Sequence, residues 1–89
     1  MSPQHQTLLR CNLDKFVNNM NPDGVLNTLL ALRAITPRNY EDIKSKSTRH
    51  ERVELLFAIL PTRADSAFGH LITALDKSEQ PHVANLIRV

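Results

Sequence analysis

Three kinds of chemistry have their residue types represented in this chain of 89 residues: a thiol nucleophile, a histidine metal site and a charged docking face. Cys11 stands beside Arg10, the kind of cationic neighbour found at reactive cysteines. A working nucleophile also needs a general base and a stabiliser for the developing oxyanion. No spacing supplies either, so Cys11 reads as a small helix side chain. His5, His50, His70 and His82 never stand four residues apart, and one cysteine cannot complete a zinc set with them, so no metal is expected. Asp65, Asp76 and Glu79 are carboxylates that pairing would turn to acid/base work, yet each falls near a helix end, where a cap or a solvated turn accounts for it. Gly24 and Gly69 are isolated and follow no strand, which excludes a glycine-rich phosphate loop. No cofactor and no catalytic activity are expected.

The charged residues carry more information. Arg49, His50 and Arg52 cluster, and Arg38, Lys44 and Lys46 precede them. Glu41, Asp42, Glu51 and Glu54 are threaded through the same stretch, as in a solvated helix face with pairs such as Arg38 with Asp42. The balance of 11 Lys/Arg against 9 Asp/Glu leaves a net charge of +2, with the two signs interspersed. With one Tyr and no Trp, this argues against a small helical DNA reader, whose phosphate contacts would show as a steep salt dependence.

The elements that must position these side chains are helices. Only two glycines occur, and apolar residues recur at spacings of three and four. Four of the five prolines read as helix starts, because the first turn has no partner for their missing N–H. A first helix over about His5 to Met20 carries Leu9, Leu13, Phe16, Val17 and Met20 on one stripe. Asn21, Pro22 and Asp23 open a second helix, through Val25, Leu26, Leu29, Leu30 and Leu32. Thr36 and Pro37 open a short third, with Tyr40 and Ile43 inward. Thr48 and Glu51 form a capping box for a fourth, in which the carboxylate is expected to reach the cap's own N–H; Val53, Leu56, Phe57 and Leu60 point inward and the helix stops near Pro61. Asp65 or Ser66 caps a fifth with Ala67, Phe68, Leu71, Ile72 and Leu75 on one face, and Pro81 opens a short sixth with Val83, Leu86 and Ile87.

Six short helices with brief connectors make an all-α antiparallel bundle, and residues 1–89 read as a single domain. A core of this size buries only about 60% of the surface that the unfolded chain exposes, so the helices must pack closely. A lone cysteine excludes an internal disulfide and points to a reducing, cytoplasmic setting. No stretch approaches the roughly 18 apolar residues of a membrane span, and Met1 to Arg10 lack the apolar run of a signal peptide. No membrane or nucleic-acid partner is expected.

Four segments, LLRCNLDKF, VLNTLLALRAITPRNYEDI, STRHERVELLFAILPTR and SAFGHLITALD, taken in order, resemble the caspase-recruitment domain of the death-fold superfamily, closest to initiator-caspase prodomains and their adaptors. The resemblance implies a six-helix antiparallel Greek-key bundle, often with a bent first helix. It also implies homotypic docking with another such domain in a caspase, adaptor or scaffold, in apoptotic or inflammatory signalling. Carried onto this chain, the basic face would be Arg10, Lys15, Arg49 and Arg52, and the acidic face Asp23, Glu41 and Asp42. Such unlike faces do not satisfy themselves in a closed dimer and can propagate into a homo-oligomer or filament. A chain running from Met1 to Val89 with no effector domain also fits a stand-alone decoy that blocks assembly. The family usually carries Arg-Gly before the Ala-Phe of the fifth helix; here Arg63 is followed by Ala64, which would cost energy at a positive φ.

Overall fold

Proline sets the helix starts. In the computed structural model, which describes residues 1–88, Pro3, Pro22, Pro37 and Pro81 each take the first position of a helix. The elements are α1 (Pro3–Cys11), α2 (Leu13–Asn19), α3 (Pro22–Ala31), α4 (Pro37–Lys44), α5 (Arg49–Ile59), a 3₁₀ turn (Leu60–Thr62) that carries Pro61, α6 (Ser66–Lys77) and α7 (Pro81–Ala84). No strand occurs among the described residues.

Among the described residues the expected count of six becomes seven α-helices because the first is broken. At Asn12 the backbone leaves helical geometry (φ −106°, ψ 8°), and the side-chain amide donates to the Leu8 carbonyl at 2.8 Å. Asn competes for backbone groups in this way, which makes it a natural interruption. The break divides the first helix in two, as a bent first helix would be divided, and Leu9 and Phe16, on successive pieces, both reach the core.

Two cap expectations are corrected. Thr48 accepts from the Glu51 N–H at 3.1 Å as expected, but the Glu51 carboxylate turns to the Thr48 hydroxyl at 3.0 Å instead of to its N–H. The reciprocal capping box stands one helix earlier: the Thr36 hydroxyl accepts from the Asn39 N–H at 3.0 Å, and Asn39 Oδ1 accepts from the Thr36 N–H at 3.2 Å. Asp65 occupies the cap position of α6 without bonding to it. Its carboxylate accepts instead from the Ser2 N–H at 3.0 Å and pairs with His5 Nδ1 at 2.7 Å, and the His5 ring stacks on Phe68 with centroids 3.9 Å apart. Ala64 has no positive φ, so the loop before α6 does not require glycine there.

That clasp ties α1 to the start of α6 and makes stability depend on acid. The Ser2 N–H, and after it His5, hold the Asp65 carboxyl below its ordinary value of 3.8. Its contribution is complete above that value and is lost as pH falls through the lower, folded value. Asp65→Asn is expected to melt with a flatter dependence on pH than the parent on the acid side of 3.8, in thermal scans at stepped pH.

Helices α3 and α6 stop in the same way. After α3, Arg33 adopts φ 61°, with the Arg33 N–H donating to the Leu30 carbonyl at 3.1 Å and the Ala34 N–H to the Leu29 carbonyl at 2.9 Å. After α6, Glu79 adopts φ 61°, and the Glu79 and Gln80 N–H groups donate to the Asp76 and Leu75 carbonyls at 3.2 and 2.8 Å. These are Schellman ends, in which glycine is the usual left-handed residue because it has no Cβ to crowd the carbonyl. Glu79→Gly is therefore expected to stabilise the fold by about 0.5–1 kcal/mol, read as a higher midpoint in urea.

The bundle closes through non-sequential pairs: α3 packs on α6 and α2 on α5, while α4 covers α5 and α7 lies against α6. Each of the two long-range pairs joins helices three apart along the chain, so the core closes by contacts between distant segments. At Gly24 the α3 backbone comes so near α6 that an added Cβ would lie 3.2 Å from the Ser78 Cβ. Phe16, Met20, Leu26, Leu29, Ile43, Leu56, Leu71, Leu75 and Ile87 are fully buried, and Phe68 is 5% exposed. The Cα radius of gyration is 11.5 Å, against roughly 12 Å expected of a folded chain of this length. The helices therefore share one centre. No helix among the described residues is long and apolar enough to cross a membrane.

Candidate protein-docking surface

Charged side chains outside the core sort into those already engaged within the chain and those left open. Arg10, at the end of α1, and Lys15, on α2, are exposed, and among the described residues neither makes an ion pair. The same holds for Glu41 and Asp42, adjacent on α4. These four meet the first requirement of a docking residue, a charge that a partner can reach.

The other three expected residues are brought together. Arg49 and Arg52, in the first turn of α5, and Asp23, in the first turn of α3, line one polar cleft of about 460 Å³ beside the end of α2. Arg52 Nη1 lies 3.6 Å from Asp23 Oδ1, and Lys44 Nζ approaches the same oxygen to 3.5 Å. A residue assigned to the acidic face and one assigned to the basic face are thus neighbours within a single chain. The pairs are half-exposed and worth about 0–1 kcal/mol each. Neither pair holds Asp23 firmly in place.

Arg49 is engaged more firmly. Its Nη1 donates to the Val17 carbonyl at 2.6 Å and the Met20 carbonyl at 3.0 Å. These carbonyls belong to the last turn and cap of α2, where helix geometry leaves acceptors without donors and the dipole favours a cation. Arg49 therefore caps α2 from another helix, a role that no local spacing in the sequence signals.

The i, i+4 pair expected between Arg38 and Asp42 does not form among the described residues. The ion pairs that do form, His5 with Asp65, Lys44 with Asp23, Arg52 with Asp23 and Arg88 with Asp76, each join residues outside a common helix. The charged residues thus stitch elements together more than they decorate single helices. Cys11 is a free, exposed thiol, and no group of three His, Cys, Asp or Glu side chains among the described residues is placed to hold a metal ion.

Sequence reasoning missed Gln80, which is buried and polar. Its Oε1 accepts from the Asn21 N–H at 2.8 Å, and its Nε2 donates to the Asn21 carbonyl at 2.9 Å and the Ser78 hydroxyl at 2.9 Å. One amide thereby fixes the junction of α2 and α3, and with it the direction in which Asp23 leaves the bundle.

A sequence model of the family described as the caspase recruitment domain matches residues 6–89 of the chain. No curated protein and no solved structure matches it.

Proposed function

The chain belongs to the caspase recruitment domain family, whose members bind one another as homotypic interaction modules in apoptotic and inflammatory signalling, and from that premise we propose that it brings a caspase together with its adaptor or scaffold in the cytoplasm. Residues 1–89 act as one unit, by docking and without a reaction of their own. The observation that carries this reading is the family pattern over residues 6–89, joined to exposed, unpaired charges of opposite sign on α1/α2 and on α4. Arg10 and Lys15 form the open part of the basic face and Arg52 its exchangeable part. Glu41 and Asp42 form the open acidic face, with Asp23 at the border between the two signs. Charge complementarity of this kind selects partners and speeds encounter, while each exposed pair adds little, so useful affinity comes from several contacts made together.

The test uses residues that the fold does not engage. Arg10→Glu/Lys15→Glu is expected to melt like the parent and to lose about tenfold or more in affinity for a recruitment-domain partner, measured by titration of purified domains. Glu41→Arg/Asp42→Arg on the opposite face is expected to do the same, and mixing the two double variants restores a pair of intact faces. If both variants bind as the parent does, the opposed-face reading is wrong.

A further inference from the structure

We propose a second docking site, for an acidic partner segment that carries an apolar side chain beside its carboxylates, in the groove between the α3–α4 connection and the turn that follows α5. The groove is lined by Leu30, Arg33, Ile35, Thr36, Pro37 and Arg63 and encloses about 470 Å³. Among the described residues its lining holds two guanidinium groups and no carboxylate, over a floor of aliphatic side chains. This surface is separate from Arg10, Lys15 and Arg52 and does not depend on the opposed-face reading.

Charge and backbone both point to a ligand. Arg63 Nε donates to the Ala34 carbonyl at 3.1 Å, which holds the plane of the guanidinium, while its terminal nitrogens have no partner among the described residues. The Arg33 side chain makes neither a hydrogen bond nor an ion pair there and is exposed. A planar fork held by one nitrogen and open at the other two is arranged to receive a carboxylate on both prongs. Arg33 is also the left-handed residue that ends α3, where folding favours glycine. An arginine at that position is strained by its backbone, and among the described residues no hydrogen bond or ion pair of its side chain offsets that strain, so the guanidinium stands free for a ligand.

The occupant follows from the lining. Leu30 and Pro37 leave apolar surface at the mouth, so a purely polar anion would desert water for a poor environment, and an aliphatic side chain fills it. No aromatic ring lines the groove to stack a base, which disfavours nucleic acid. Carboxylates on either side of a leucine or isoleucine satisfy both parts at once.

The probe is a fluorescent, end-blocked helical peptide with one leucine flanked by glutamates, and its control has glutamines in their place. Amide-resolved NMR titration is expected to move Leu30, Arg33, Ile35, Thr36 and Arg63, and anisotropy to show that the glutamine control binds about tenfold more weakly. Arg33→Gly should lose binding by about the same factor while melting no lower than the parent, since glycine suits the left-handed backbone. Arg10→Glu/Lys15→Glu should bind the peptide unchanged, which separates this site from the opposed faces. Equal binding of the two peptides, shifts centred on Arg10 and Lys15, or full binding by Arg33→Gly would each overturn the proposal.

Discussion

Gln80→Ala is expected to lower the unfolding free energy by about 2–4 kcal/mol, a drop of roughly 10–25 °C in melting temperature for a chain of this size. Gln80 is the one buried polar side chain among the described residues, 8% exposed, and its amide closes a two-way hydrogen-bonded ring with the Asn21 backbone. Alanine would leave the Asn21 N–H and carbonyl without partners, a penalty larger than the net worth of the bonds themselves. Two further variants separate the causes. Gln80→Leu keeps the volume and should recover little if the bonds dominate. Gln80→Glu can still accept from the Asn21 N–H but cannot donate to its carbonyl while ionised, so its deficit against the parent should shrink as the pH falls and the carboxyl gains a proton. A Gln80→Leu variant as stable as the parent would show that the amide is filling space only.

Arg49→Ala is expected to cost about 2–3 kcal/mol, roughly 10–20 °C, because two carbonyls at the end of α2 lose a charged donor. The consequence for function is direct. An Arg49 variant that fails to bind a partner has also loosened the junction on which Asp23 and Arg52 stand, so lost binding does not identify Arg49 as a contact. Arg49→Lys retains the charge without the planar fork and should regain part of the stability. If it binds as tightly as the parent while melting lower, Arg49 acts by positioning. An Arg49→Ala protein that melts like the parent would remove it from the α2 cap.

The helices were legible because their signals are local. Prolines at Pro22, Pro37 and Pro81, the Thr36 and Thr48 caps and the three-and-four spacing of Leu26, Leu29, Leu56 and Leu75 each need only a few neighbours to be read. The break at Asn12 was less legible, because an apolar stripe running unbroken from Leu9 to Met20 outweighs one asparagine in any pattern of periodicity. The ends at Arg33 and Glu79 carried no glycine to announce them.

The docking residues divide along the same line. That Arg10, Lys15, Glu41 and Asp42 sit on the polar side of amphipathic helices follows from their spacing, and solvent exposure follows from that. Whether a charge is free once it reaches the surface does not. Asp23 is met by Arg52, Arg49 reaches back 32 residues to Val17, Asp65 serves Ser2 and His5 instead of its own helix, and Gln80 reaches 59 residues to Asn21. By itself the sequence determined an all-helical chain, its buried stripes and the family it belongs to, since these rest on periodicity along the backbone. Tertiary structure alone decided which charges remain for a partner. The orphan carbonyls and N–H groups at helix ends take whatever donor or acceptor the packing of distant helices brings within about 3 Å.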